Sequence, residues 1–157
     1  VDLEKGLKMI PDKSVDELRS RHFLEHIENF DLLIREIHRI LKPGGKHVAV
    51  VPHFANPYYY SDYTHKRFFG LYSFDYFSKP EHQLKRKVPA FYDNVKFKVV
   101  YRKIIFKAPE FPIRNFFRNR IVQTIFNLSS YMQEIYECSF CYRIPPQELE
   151  FVMVPEL

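Results

Sequence analysis

Residues 28–54 constrain the fold more tightly than any other stretch of the chain. Phe30, Leu33, Ile34, Ile37, Ile40 and Leu41 recur at helical spacing, and Arg35, Glu36, Arg39 and Lys42 fall on the opposite side. The pattern predicts an amphipathic helix beginning at Glu28 or Asn29. Pro43-Gly44-Gly45 should stop it, with a glycine available for a left-handed cap. The run His47-Val48-Ala49-Val50-Val51 comes next, bounded by Gly and Pro, and predicts a buried strand within Lys46–Phe54. Val15–Ser20 alternates weakly and reads as a strand ahead of the helix. The order strand, helix, strand favours an α/β fold with a parallel sheet and helices packed on it. Ligands of such sheets bind beyond the carboxyl ends of the strands, here near Ser20–His22 and Pro52–Phe54.

The remainder is read with less periodicity. Residues 55–83 are dense in Tyr, Phe, Asp and His and predict a long functional loop leading to a short helix near Ser73–Phe77. Val95–Lys107 reads as a strand and Glu148–Val154 as the last one. Ile113, Phe117, Ile121, Ile125, Leu128, Met132 and Ile135 predict a single helix over 113–136 whose apolar stripe covers the sheet, or rests on a membrane surface. No run approaches the roughly 20 apolar residues of a membrane-spanning helix. The first residues lack a signal-peptide pattern, and two cysteines are too few for a disulfide framework, so the cytoplasm is the expected location. Cys138 and Cys141 are expected to be buried thiols.

Charge is unevenly spread. The net charge is +5, yet Lys85–Arg120 carries eleven Lys or Arg against Asp93 and Glu110, and the last stretch from Glu134 is acidic. A basic middle suits an anionic partner such as nucleic acid, or is simply a solvated face. The four glycines form neither G-x-G-x-x-G nor a P-loop.

Three motifs carry a family likeness. Ser14–Ile27, with its Leu24-Glu25-His26, resembles the fourth-strand region of class I S-adenosylmethionine-dependent methyltransferases. Glu36–Gly45 resembles the family's turn from helix to fifth strand, "E-x-x-R-x-L-K-P-G-G". Ser61–Phe69 resembles a "D-x-T-H-x-R-x-F" segment found after the fifth strand in the methyltransferase type 11-like branch. The likeness is concentrated in residues 1–80. The glycine-rich loop, the first two strands and the acidic residue that holds the ribose have no counterpart in the chain. The resemblance implies an incomplete Rossmann-like methyltransferase sheet, a C-terminal portion holding strands four to seven. Residues 1–54 would form the cofactor side, 55–90 the acceptor loop or lid, and 91–157 the C-terminal strands and helix of that one domain.

The resemblance also implies a cofactor, S-adenosyl-L-methionine. Asp2 and Leu3 would meet its adenine, and Ser20, Arg21 and His22 would face its methionine end. His53, Asp62 and His65 are the candidates for catalysis, with Asp62 orienting His65 as a base. Tyr59, Tyr60 and Arg67 are the candidates for holding a small-molecule or saccharide acceptor, which is favoured over nucleic acid. Asp62 and His65 have a plainer role open to them, as a loop that caps itself, and Tyr58–Tyr60 as the loop's own small core. No metal is assigned. His22-Phe23-Leu24-Glu25-His26 does match the H-x-x-E-H of inverted zinc peptidases, which would need both histidines on one helical face. A fragment of a methyltransferase should bind the cofactor weakly or not at all. The alternative is a non-catalytic module that associates, or forms a homo-oligomer, through an open sheet edge.

Overall fold

The computed structural model describes residues 6–107 and 111–156. Asp2 and Leu3 lie outside the described residues. Among the described residues four strands form one sheet: β1 (Val15–Arg21), β2 (Leu41–Pro52), β3 (Lys96–Ile105) and β4 (Glu148–Glu156), in the order β1-β2-β4-β3. β1 and β2 run parallel, joined through helix α1 (Phe30–Ile40). The last strand enters between β2 and β3 and runs antiparallel to both. The sheet is therefore mixed.

Helix α1 forms where the apolar spacing requires it. Phe30, Leu33, Ile34, Ile37 and Ile40 are all buried, each worth about 1.5–3 kcal/mol of apolar burial. Its end departs from expectation. Leu41 is already extended and belongs to β2, so the glycines do not cap the helix. They build a bulge instead. Val15 pairs with Leu41 and Glu17 with Lys46, so residues 42–45 loop out of register. Gly44 sits at φ +80°, and a Cβ on Gly45 would stand 2.9 Å from the Val15 carbonyl oxygen and 3.0 Å from that of Lys42. Both neighbours are backbone and cannot step aside. Gly45→Ala should therefore cost about 1–3 kcal/mol in urea unfolding, and an unchanged midpoint would contradict this geometry.

The single helix expected over 113–136 is three. Pro112–Phe117 (α2) passes through a π-helical stretch, Arg118–Val122, into Gln123–Phe126 (α3). After a break, α4 runs over Ser130–Ser139. The break has two causes. Asn127 hydrogen-bonds the backbone of Ile104 through both side-chain atoms, each at 2.8 Å, and Ser129 caps α4 by accepting from the Met132 amide. The π turn also rotates the helical face, because it adds a residue to one turn. Ile113, Phe117, Ile121, Ile125 and Leu128, on both sides of that turn, are exposed and do not cover the sheet. Gln133 reaches β3 at the Arg102 carbonyl, while Gln123 and Tyr136 meet Phe106 just past the strand's end. Cys141 is buried as expected, but Cys138 is exposed.

Candidate active site

The carboxyl ends of β1 and β2 stand side by side. Arg21 pairs with Val50, and the His22 amide donates to the Val50 carbonyl at 3.0 Å. His22 turns the chain there at φ +47°, a left-handed conformation that histidine adopts more readily than most side chains. The first residue of β4, Glu148, pairs with Pro52 and arrives at the same end. Its carboxylate accepts from Arg21 at 3.0 and 3.2 Å, from His22 Nε2 at 3.0 Å and from Lys107 at 3.1 Å. Burial opposes ionisation of Glu148, but the hydrogen bonds from Lys107 and His22 outweigh it and hold its carboxyl below the ordinary glutamate range. Arg21 and His22 are thus held in place by a residue over 120 positions away.

Beside the tip of β1 lies a cavity of about 360 Å³, floored by Leu7, Leu18, Leu24 and Leu33 and lined also by Ser20 and Arg21. Ser20 Oγ is 2.8 Å from His47 Nε2. His47 is fully buried in β2, and its Nδ1 has no partner. An unpaired acceptor is cheaper to bury than an unpaired N–H, so the ring hydrogen sits on Nε2 and is donated to Ser20. The Ser20 hydroxyl hydrogen is then free for whatever occupies the cavity. An apolar floor with one hydroxyl donor fits the adenosine part of S-adenosylmethionine.

His53 lies at the end of β2, fully buried. Its Nδ1 accepts from the Ala55 amide at 2.9 Å, so Nε2 carries the hydrogen and donates to Glu137 at 3.1 Å. Both ring nitrogens are engaged. Glu137 also accepts from the Leu71 amide, which ties α4 to the loop. Glu137 and Tyr72 line a cavity of about 790 Å³ between α4 and residues 72–86.

The loop after β2 folds back over the short helical turn Leu24–His26. The amides of Lys66 and Arg67 both donate to the Glu25 carbonyl. Arg67 gives its guanidinium to the carbonyls of Ile27 and Glu28. Tyr59 is buried, donates its hydroxyl to the Arg67 carbonyl and packs in tilted contact with the rings of His65 and Phe68. These two residues therefore hold the loop together, whereas Tyr60 is 70% exposed at its surface. Asp62 Oδ1 accepts from the Thr64 hydroxyl at 2.5 Å and its amide at 2.9 Å. Those bonds hold the Asp62 carboxyl below the usual aspartate range. Its other oxygen lies 3.5 Å from His65 Nε2, so the self-capping loop and the Asp62–His65 approach coexist. His22 and His26 do not share a helical face, since His22 precedes a three-residue turn. The helix needed for a zinc-peptidase motif is absent among the described residues. Glu137 and Glu148 carry no signal in the sequence as site residues, because only the tertiary fold brings them to this end.

The described residues contain no helix long and apolar enough to cross a membrane. No curated protein matches the chain. Among solved structures it is similar to a SAM-dependent methyltransferase from Archaeoglobus fulgidus, at 19% identity and a TM-score of 0.51, over 99% of this chain and 66% of that one. The chain thus spans just under two thirds of that protein. It is also similar to the YcgJ protein from Bacillus subtilis, at 13% identity and a TM-score of 0.48, over 98% of this chain and 68% of that one. The family model of the methyltransferase domain matches residues 2–49. That match covers less than half of the chain, and the likeness to the Archaeoglobus fulgidus structure is one of fold.

Proposed function

We propose that the chain supplies the strand-tip wall and the acceptor-side loop of an S-adenosylmethionine-dependent methyl-transfer site, with a hydroxyl-bearing small molecule or saccharide as acceptor. The observation that carries this reading is the apolar cavity at the tip of β1, lined from β1, the turn after it and α1, with the 55–69 loop folded over that turn. S-Adenosylmethionine supplies a methyl group already activated on sulfonium sulfur. The protein's tasks are therefore alignment and exclusion of water.

Ser20 offers its hydroxyl hydrogen to the cofactor, and Leu7 and Leu18 offer apolar surface. Arg21 and His22, tied to Glu148, shape the wall. By resemblance, Asp2 and Leu3 complete the adenine side. On the acceptor side the exposed ring of Tyr60 suits the apolar face of a sugar. His65 donates Nδ1–H to the Tyr59 carbonyl at 2.9 Å, which leaves Nε2, beside Asp62, as the nitrogen able to take a hydroxyl proton. His53 has both nitrogens engaged and acts by positioning the loop through Glu137.

A second reading, a non-catalytic module, rests on β1, an edge strand with no neighbour on its outer side among the described residues. Such an edge favours pairing with a second copy. Saturation-transfer NMR separates the two, because it detects weak ligands. Transfer to the adenine protons of S-adenosylhomocysteine, lost in Leu18→Lys, is the expected result. No transfer at large ligand excess, with a concentration-dependent dimer in sedimentation, would favour the second reading.

A further inference from the structure

The loop and the turn it covers bring Glu25, His26 and His65 together. Glu25 is completely buried, and neither of its carboxylate oxygens has a hydrogen-bond partner. The nearest nitrogens are His22 Nδ1 at 3.5 Å and His26 Nε2 at 3.8 Å from Oε1, both too far for a hydrogen bond. A buried carboxylate left in this state costs several kcal/mol.

His26 Nδ1 lies 2.9 Å from the Thr64 hydroxyl oxygen. That hydroxyl gives its own hydrogen to Asp62, which is ionised and can only accept. Thr64 must therefore accept from His26, and Nδ1 carries the hydrogen. His65 Nδ1 lies 2.9 Å from the Tyr59 carbonyl, again a pure acceptor, so here too Nδ1 carries the hydrogen. In the neutral rings both Nε2 atoms hold free lone pairs. A ring nitrogen of each histidine and an oxygen of Glu25 lie within 4.8 Å of one another. His26 Nε2 and a ring nitrogen of His65, both on part-buried rings, thus stand near a buried and unpaired carboxylate. That arrangement is repulsive unless something positive stands between them.

We propose that Glu25, His26 and His65, with Asp62 at the rim, bind a divalent transition-metal ion. Two imidazole nitrogens and carboxylate oxygens suit zinc and its neighbours, not magnesium or calcium. Donors at about 2.1 Å from a tetrahedral ion stand about 3.4 Å apart, and the present spacings reach that with small side-chain shifts. The outer hydrogen bonds already follow the habit of metal-ligating histidines, whose second nitrogen donates to a fixed oxygen. Asp62 Oδ2, 3.5 Å from His65 Nε2, is part-exposed and offers both a fourth donor and a route of entry. His22 lies between Glu148, 3.0 Å from its Nε2, and Glu25, 3.5 Å from its Nδ1. The inference does not rest on methyl transfer. An ion bound here would occupy His65 Nε2 and take it out of use as a free base.

The test uses untagged full chain and no activity readout. Calorimetric titration with Zn²⁺ at neutral pH should give one site, and Co²⁺ should give the visible absorption of a low-coordinate complex. Cys138→Ser should leave both unchanged. Glu25→Gln and His65→Gln should each weaken Zn²⁺ by at least about a hundredfold. Glu25→Gln replaces the anion by an amide whose N–H can meet the imidazole lone pairs. That variant should therefore raise the melting temperature of the metal-free protein, which also shows that it folds. Failure of the wild type to bind Zn²⁺, or equal binding by both variants, would overturn the proposal.

Discussion

Replacing Arg102 by methionine should cost about 3–5 kcal/mol of folding free energy, the usual consequence of stranding one partner of a buried ion pair. Arg102 on β3 binds Asp75 in the 3-10 turn Ser73–Phe77, and the side chains are 9% and 0% exposed. Burial pushes the Asp75 carboxyl upward against the pull of Arg102, and burial likewise pulls the Arg102 guanidinium downward against Asp75. Each charge is tolerable only because the other is present. The remaining Asp75 oxygen has just the Leu84 amide, at 3.4 Å. In Arg102→Met the carboxyl must stay buried and unpaired or take up a proton. The double variant Arg102→Met with Asp75→Leu should recover most of the loss, since no charge is then stranded. A double-mutant cycle in urea checks this. A loss below about 1 kcal/mol in the single variant would mean that water reaches the pair.

The second large effect is a dependence on pH set by His47. Burial lowers its pKa from 6.5 to about 4. In the unfolded chain the same imidazole takes up a proton near pH 6.5. Between pH 6.5 and about 4 the unfolded state therefore binds more protons than the folded one, and stability rises with pH across that window. The contribution is fully present above pH 6.5 and is lost as pH falls towards 4. At about 1.4 kcal/mol per unit it amounts to about 3 kcal/mol. His47 is enclosed on all sides, so solvent screening takes little from this figure. Unfolding free energies from pH 7.5 to 4 should fall more steeply for the wild type than for His47→Leu. Parallel curves would show that His47 titrates normally. His47→Leu also leaves the Ser20 hydroxyl without its partner, so S-adenosylhomocysteine transfer should change with it if Ser20 faces the ligand.

The helix–bulge–strand from Phe30 to Pro52 was legible because each part is local: apolar spacing, a Pro-Gly-Gly interruption, an apolar run. Even there the glycines served a bulge and not a cap, since the choice depends on how closely Val15 of the neighbouring strand approaches. The helix expected over 113–136 is broken for a related reason. Its stripe is real in sequence, but the π turn at Arg118–Val122 and the bonds of Asn127 to Ile104 come from its packing on β3, and spacing cannot register them.

The sequence by itself determined the strand, helix and strand of residues 15–52 and their α/β order, because periodicity and short motifs are properties of neighbouring residues. The tertiary structure alone decided that β4 inserts antiparallel beside β2, that Glu148 gathers Arg21, His22 and Lys107, and that the loop sets His65 beside Glu25 and His26. Those groups meet across dozens of residues or more, and nothing in a linear chain encodes such a meeting until the core has closed around it.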